Sequence, residues 1–217
     1  MRCEICGTGE VFYRRPYEGV RLCKGCFKNS IVDKVRRTIS EFRLLKADDH
    51  LAVAVSGGKD SLSLLHVLKR LCSKYPRSRL TAIAVDEGIE RYREEALTLA
   101  KKFCEDSGVP LRALSFKDLY GFTLDELVEE RGLKFPCSVC GVLRRRAIAV
   151  LAHQVGADKI ATAHNLDDEV QTFLLNIFHG GHVQMRRTGP MLTGKGAFLK
   201  KVKPFYKLPE KEISLYA

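Results

Sequence analysis

An apolar run, Leu51-Ala52-Val53-Ala54-Val55, leads straight into Ser56-Gly57-Gly58-Lys59-Asp60-Ser61. A helical pattern of Leu62, Leu64, Leu65, Leu68 and Leu71 follows without a gap. Five apolar residues in a row suit a strand buried on both faces, and the leucine spacing suits a helix. The alternation then repeats. Strands are expected at 80–85, 111–115 and 159–163, and helices at 61–72, 92–107, 124–130, 143–154 and 166–178. Gly108 and Gly156 stand where helix C-caps are wanted. Strands separated by helices need crossover connections, so the expected fold class is α/β with a parallel, doubly wound sheet.

The hexapeptide at 56–61 sits at a strand end and opens a helix. Two glycines let the backbone approach an oxyanion, and the free N–H groups of the helix start then face it. Lys59 adds a point charge, and Ser56 and Ser61 add hydroxyl donors. The GxxxxGK[ST] spacing of a Walker A loop is absent. An ordinary Gly-Gly turn with a serine cap is the plainer alternative.

Cysteines set the rest of the organisation. Six of the eight fall into three C-x-x-C pairs: Cys3/Cys6, Cys23/Cys26 and Cys137/Cys140. The first two pairs are sixteen residues apart, a spacing that suits four thiolates around a structural zinc ion. Residues 1–29 are therefore read as a zinc finger, 30–49 as a basic linker helix with Val32, Val35, Ile39 and Phe42 on its apolar face, and 50–217 as the α/β domain. The pair Cys137/Cys140 precedes Arg144-Arg145-Arg146. It is compatible with a redox pair, half of a metal site or two buried thiols, and the arginines would favour thiolate. Asp167, Asp168 and Glu169 follow His164-Asn165-Leu166 at a helix start, where acids often only complement the helix dipole.

The net charge is +11, which points to a polyanionic partner such as nucleic acid. Residues 183–211 hold eight basic residues (Arg186, Arg187, Lys195, Lys200, Lys201, Lys203, Lys207 and Lys211) against the single acid Glu210. That stretch and the helix at 30–46 are the expected phosphate-binding surfaces. No apolar run approaches the roughly 18–20 residues of a membrane span. The start of the chain lacks a secretory apolar segment, so a cytoplasmic location is expected.

The hexapeptide resembles the PP-loop of the ATP pyrophosphatase superfamily, which grips the pyrophosphate half of ATP and leaves AMP on a substrate oxygen. Four features in this order resemble the tRNA 2-thiolation proteins, the TtcA/TtuA-like group that includes the cytosolic wobble-uridine thiolases. They are the cysteine finger, SGGKDS, PCxxCG before an arginine-rich helix, and AT-x-HNLDDE-x-QTFLLN. The likeness covers essentially the whole chain.

It implies an adenine-nucleotide α-hydrolase-like sheet and an ATP site at Ala54, Val55, Ser56, Gly57, Gly58, Lys59, Asp60, Ser61, Val85 and Arg144. It also implies ribose or magnesium contacts at Asp86 and Glu87 (a solvated acidic turn being the plainer alternative), magnesium at the acids 167–169, and sulfur chemistry at Cys137 and Cys140 with Asp168 near the activated base. Cys137 and Cys140 are often ligands of a 4Fe–4S cluster in this family. The implied partners are tRNA, a ubiquitin-like sulfur carrier and a second copy in a homodimer.

Two departures stand out. Ala163 replaces a usual glycine. The family's third cluster cysteine and second zinc ribbon are not found in these 217 residues, so the chain is read as C-terminally truncated. Within the family the alternative chemistry is another tRNA-modifying ligation. Outside enzymes it is a zinc-finger RNA-binding partner.

Overall fold

The computed structural model describes residues 2–90, 92–180, 185, 188–194 and 199–217. A small antiparallel hairpin of β1 (Tyr13–Arg15) and β2 (Val20–Leu22) comes first. Helix α1 (Lys24–Glu41) leads from it to β3 (His50–Ala54) and α2 (Lys59–Cys72). Next come β4 (Arg79–Asp86), α3 (Tyr92–Ser107), β5 (Leu111–Ser115), α4 (Phe116–Tyr120), α5 (Leu124–Arg131) and α6 (Pro136–Gln154). The described chain closes with β6 (Lys159–Ala161), α7 (Leu166–Phe178), β7 (Met191–Leu192), β8 (Lys200–Val202) and α8 (Glu210–Tyr216). Among the described residues the main sheet has six strands, ordered β5-β4-β3-β6-β8-β7, with only β7 antiparallel.

The alternation of side chains along a strand sends neighbours to opposite faces. Leu51, Val53 and Val55 join one core with Leu64, Leu65 and Leu68 of α2, Ile31 and Val35 of α1, Ala100 of α3 and Ile213 of α8. Ala52 and Ile83 face the other way, onto Leu151 and Ala152 of α6. The sheet is therefore covered on both sides, as an all-apolar β3 requires. The first core runs without a break from Tyr13, Leu22 and Phe27 of the cysteine-rich segment into the α/β body.

Several expected elements shift. Helix α1 starts at Lys24 rather than 30, because the Cys23 sulfur caps it by accepting from the Cys26 N–H at 3.5 Å. It ends at Glu41, where Arg43 takes a left-handed φ of 50°. Helix α6 starts at Pro136, not 143, since proline is pre-shaped for the first helical position. Cys137 and Cys140 thus lie inside the helix, one turn apart, and not in a connection before it. β6 stops at Ala161, two residues short of the expected end.

β7 and β8 were not foreseen, and they fall in the stretch expected to be a basic surface. Lys203, just after β8, is buried and paired with Glu169 at 2.6 Å, so it is no free phosphate ligand. Lys207 pairs with Glu41, also at 2.6 Å. Arg186, Arg187 and Lys195 lie outside the described residues. Among the described residues, no helix is long and apolar enough to cross a membrane.

Candidate nucleotide loop and cysteine helix

The loop at 56–61 leaves the C-terminal end of β3 at the middle of the sheet, where parallel strands open a crevice. The Val55 N–H is still donated to Ile83, at 2.9 Å. Gly57 then turns at φ +84°, and a Cβ there would collide with the backbone carbonyl of Ala96 in α3. Only glycine fits, on both counts.

Ser61 ties the loop shut. Its Oγ accepts from the Ser56 N–H at 3.1 Å and donates to the Gly58 carbonyl at 2.9 Å. Gly58 is the N-cap of α2 and supplies no side-chain cap, so the first N–H groups of that helix are left for an anion. Lys59 lies at the mouth, between Asp60 at 3.1 Å and Glu210 of α8 at 2.8 Å. These carboxylates raise the Lys59 pKa and keep it charged, Glu210 contributing most.

Arg93 holds the crevice together, and no sequence pattern singled it out. It is buried, donates to the Val85 carbonyl through Nε at 2.9 Å and also through Nη2, and reaches the Ser56 carbonyl through Nη1 at 3.1 Å. The Val85 carbonyl, expected beside a nucleotide, is therefore already engaged. Glu87 is 1% exposed and forms ion pairs with Arg93 at 2.7 Å and Arg144 at 2.5 Å. Asp86 accepts from the Gly88 N–H at 2.9 Å.

The cysteine pair reaches the same edge from α6. Cys137 is exposed and Cys140 buried, packed with Val85, Phe116, Leu124 and Ala147. Arg144 donates to the Cys140 sulfur at 3.2 Å. Burial nevertheless pushes the Cys140 thiol up, with Glu87 adding to the effect and Arg144 opposing it. Arg144 thus offsets part of what burial does to the Cys140 thiol.

The acids after β6 each have a structural partner. Asp168 and Asn165 form a capping box, at 2.9 and 3.0 Å. Asp167 accepts from the Glu210 N–H at 2.6 Å, at the start of α8. Glu169 pairs with Lys203 and accepts from the Gly189 N–H at 3.0 Å.

The finger cysteines converge. The sulfurs of Cys3, Cys6, Cys23 and Cys26 all lie within 4.8 Å of one another, with Cys6 and Cys23 at 3.8 Å. Four sulfurs about 2.3 Å from a tetrahedral centre would be about 3.8 Å apart, so the set fits a metal ion. Cys6 is held at about pKa 5, chiefly by the backbone N–H groups of Thr8 and Gly9, which favours a ligating thiolate. Gly9 leaves room for this, since a Cβ would lie 2.6 Å from Cys23 Cβ. No comparable group forms around Cys137 and Cys140 among the described residues; Cys72 and Cys104 sit on α2 and α3.

Known proteins agree with this arrangement. A family model described as the PP-loop domain matches residues 28–217. Cytoplasmic tRNA 2-thiolation protein 1 of Chlamydomonas reinhardtii is 41% identical over 216 residues, which are 99% of this chain and 60% of that protein. Its Xenopus laevis namesake is 37% identical, over 100% of this chain and 64% of its own length. The chain thus spans a little under two thirds of these relatives. Among solved structures, the U34-tRNA thiolase NcsA from Methanococcus maripaludis with its [4Fe-4S] cluster superposes with a TM-score of 0.88 at 37% identity, covering all of this chain and 70% of that one. An NH3-dependent NAD synthetase from Campylobacter jejuni shares the fold alone, at 14% identity and a TM-score of 0.52. The family match and the thiolation relatives establish that this chain belongs to the PP-loop family, within the tRNA 2-thiolation group.

Proposed function

We propose that the protein is an ATP-dependent tRNA uridine 2-sulfurtransferase of the cytoplasm. The observation that carries this reading is the run of polar contacts linking the glycine loop to the Cys137/Cys140 helix: Arg93 joins Ser56 to Glu87, and Glu87 holds Arg144, which donates to Cys140. A phosphate-activating loop and a sulfur-handling pair are the two halves that thiolation needs. The likeness to a U34-tRNA thiolase supports the wobble uridine as the target.

ATP would lay its β- and γ-phosphates on the N–H groups of Gly57, Gly58 and Lys59, with the Lys59 ammonium released from Glu210. Magnesium would share those phosphates, and Asp60 is the nearest carboxylate to the loop. The uridine C2 oxygen attacks the α-phosphorus, the α–β bridging P–O bond breaks and pyrophosphate leaves, stabilised by the loop donors. Arg144 is placed to neutralise the α-phosphate. Asp168 is our choice for orienting the uracil.

Exposed Cys137 carries the sulfur as a persulfide whose terminal sulfur attacks C2, and the C2–O bond to AMP breaks. The Cys140 thiolate then attacks the Cys137 sulfur and frees the thiocarbonyl. A Cys137–Cys140 disulfide remains. The carrier's incoming thiocarboxylate sulfur would attack the Cys137 sulfur of that disulfide, releasing the Cys140 thiolate. Hydrolysis of the acyl disulfide would leave the carrier carboxylate and a fresh Cys137 persulfide. Among the described residues Cys137 and Cys140 supply two thiolates and no third cysteine joins them, which does not fit the ligand set of an iron–sulfur cluster. The finger would hold zinc. A ubiquitin-like carrier would deliver the sulfur, tRNA would meet the basic surface of α1, and two copies would pair.

The test oxidises the Cys137–Cys140 pair, then incubates the protein without oxygen with unmodified tRNA, ATP, magnesium and sulfide (which opens the disulfide to the Cys137 persulfide). It assays 2-thiouridine by mass spectrometry and AMP by chromatography. Both products are expected, and Cys137→Ala should remove the thionucleoside. Undiminished turnover in that variant would favour another ligation chemistry. Tight tRNA binding without AMP would favour a binding partner.

A further inference from the structure

Glu87 is the first residue past β4, and its carboxylate is divided between two helices. One oxygen pairs with Arg93 of α3 at 2.7 Å and the other with Arg144 of α6 at 2.5 Å. Each arginine has a second commitment. Arg93 grips the Ser56 carbonyl, whose peptide plane leads into Gly57. Arg144 donates to the Cys140 sulfur. The main chain of Glu87 is fixed too, its carbonyl accepting from the Leu124 N–H at 2.8 Å. A continuous polar path therefore joins Ser56, Arg93, Glu87, Arg144 and Cys140.

A buried ion pair is a poor device for stability alone, because desolvation cancels most of the attraction. Nor is this carboxylate needed to keep Arg93 satisfied, since two backbone carbonyls already accept from it. Arg144 is different. It is 47% exposed, and a long cation on a helix surface samples many rotamers unless it is held. Among the described residues its polar partners are Glu87 and Cys140.

We propose that Glu87 is a positioning residue: tied to the phosphate loop through Arg93, it holds Arg144 against Cys140, so that nucleotide in the loop alters the exposure of the cysteine helix. This role rests on the reading of the loop as an ATP site. It replaces the expectation that Glu87 binds ribose or magnesium, which a carboxylate closed between two guanidiniums cannot do without breaking both pairs.

The experiment compares the full chain with Glu87→Gln in three measurements. They are ATP affinity by calorimetry, AMP formation at saturating ATP and tRNA, and the rate of Cys140 alkylation by iodoacetamide with and without ATP, followed by peptide mass spectrometry. The variant should melt near wild type, bind ATP within about threefold, lose at least about tenfold in the turnover number, and lose the ATP effect on Cys140. A turnover number and an ATP effect like those of wild type would overturn the proposal. So would parallel losses in melting temperature, affinity and turnover, the mark of a merely structural residue.

Should Glu87→Gln fail to fold, Arg144→Lys tests the same path from its exposed end. Its ammonium cannot hold Glu87 and Cys140 at once, so it should lose the ATP effect even at saturating ATP, where a weaker affinity is made up by concentration. Retention of the effect would refute the idea. The alkylation measurement needs neither tRNA nor turnover, so an inactive wild type would count against thiolation without touching this proposal.

Discussion

Arg15 of the first hairpin and Glu212 of the last helix, 197 positions apart in sequence, close a two-pronged ion pair at 2.7 and 3.2 Å with neither side chain more than 3% exposed. Tyr17 adds a hydrogen bond to the same carboxylate, and Lys34 of α1 lies 4.0 Å from it. Removing Glu212 takes the two-pronged partner from buried Arg15 and leaves it only the partly exposed Glu18 carboxylate at 2.9 Å and the Ser30 hydroxyl. Glu212→Ala is expected to cost about 3–5 kcal/mol of unfolding free energy, measured by urea titration. A loss under about 1 kcal/mol would mean that water reaches Arg15 freely.

Gly57→Ala tests the phosphate loop. The new methyl meets the Ala96 carbonyl at a φ of +84°, so both strain and overlap must be relieved by moving α3 or the loop. A stability loss of at least about 2 kcal/mol is expected, with ATP affinity down about tenfold or more. Calorimetric binding near the wild-type value would show that the loop backbone is not what holds the nucleotide.

Glu210 competes with phosphate for Lys59. Their pair is exposed and worth no more than about 1 kcal/mol, so Glu210→Gln should tighten ATP binding by up to about fivefold. Weaker binding in the variant would instead make Glu210 a ligand of the nucleotide's magnesium ion.

The two helix cysteines should differ in reactivity. Exposed Cys137 is expected to alkylate first. Burial keeps Cys140 above the ordinary thiol pKa, so it is mostly protonated at neutral pH and its labelling should accelerate only at more alkaline pH than for a free thiol. Arg144→Ala removes the group that opposes this shift, and should move the labelling profile further toward alkali. A shift toward acid would show that Arg144 acts on Cys140 by shielding it rather than by charge.

Metal analysis should find one zinc ion per chain. Cys26→Ser should abolish it, and a chelator should lower the melting temperature, because a hairpin this small relies on its ligands. A metal-free protein with unchanged melting would leave the four cysteines as packed thiols.

Local signals were the legible ones. The β3 run, the Gly-Gly turn and the leucines of α2 are contiguous, so pattern alone located the phosphate loop. Cysteine spacing did the same for the finger. The polar frame behind them was invisible. Arg93, Glu87 and Lys203 are single charged residues with no periodicity, and their partners lie on other elements, as Glu169 does for Lys203 across 34 positions. β8 was missed because Lys200-Lys201-Val202 is three residues long and two-thirds charged, while its pairing with β6 is a tertiary fact. The start of α6 was missed because Pro136-Cys137-Ser138-Val139-Cys140-Gly141 carries no helical apolar pattern and was set before the helix.

The α8 helix serves two masters: its first turn touches the phosphate loop through Glu210 and its buried face grips the hairpin through Glu212. The cysteine segment is therefore no detachable tag. A fragment beginning at β3 would leave Glu212 with no cation around it, and transplanting the segment from a relative would succeed only if α8 travelled with it. The two ends of this chain have to be exchanged as one part.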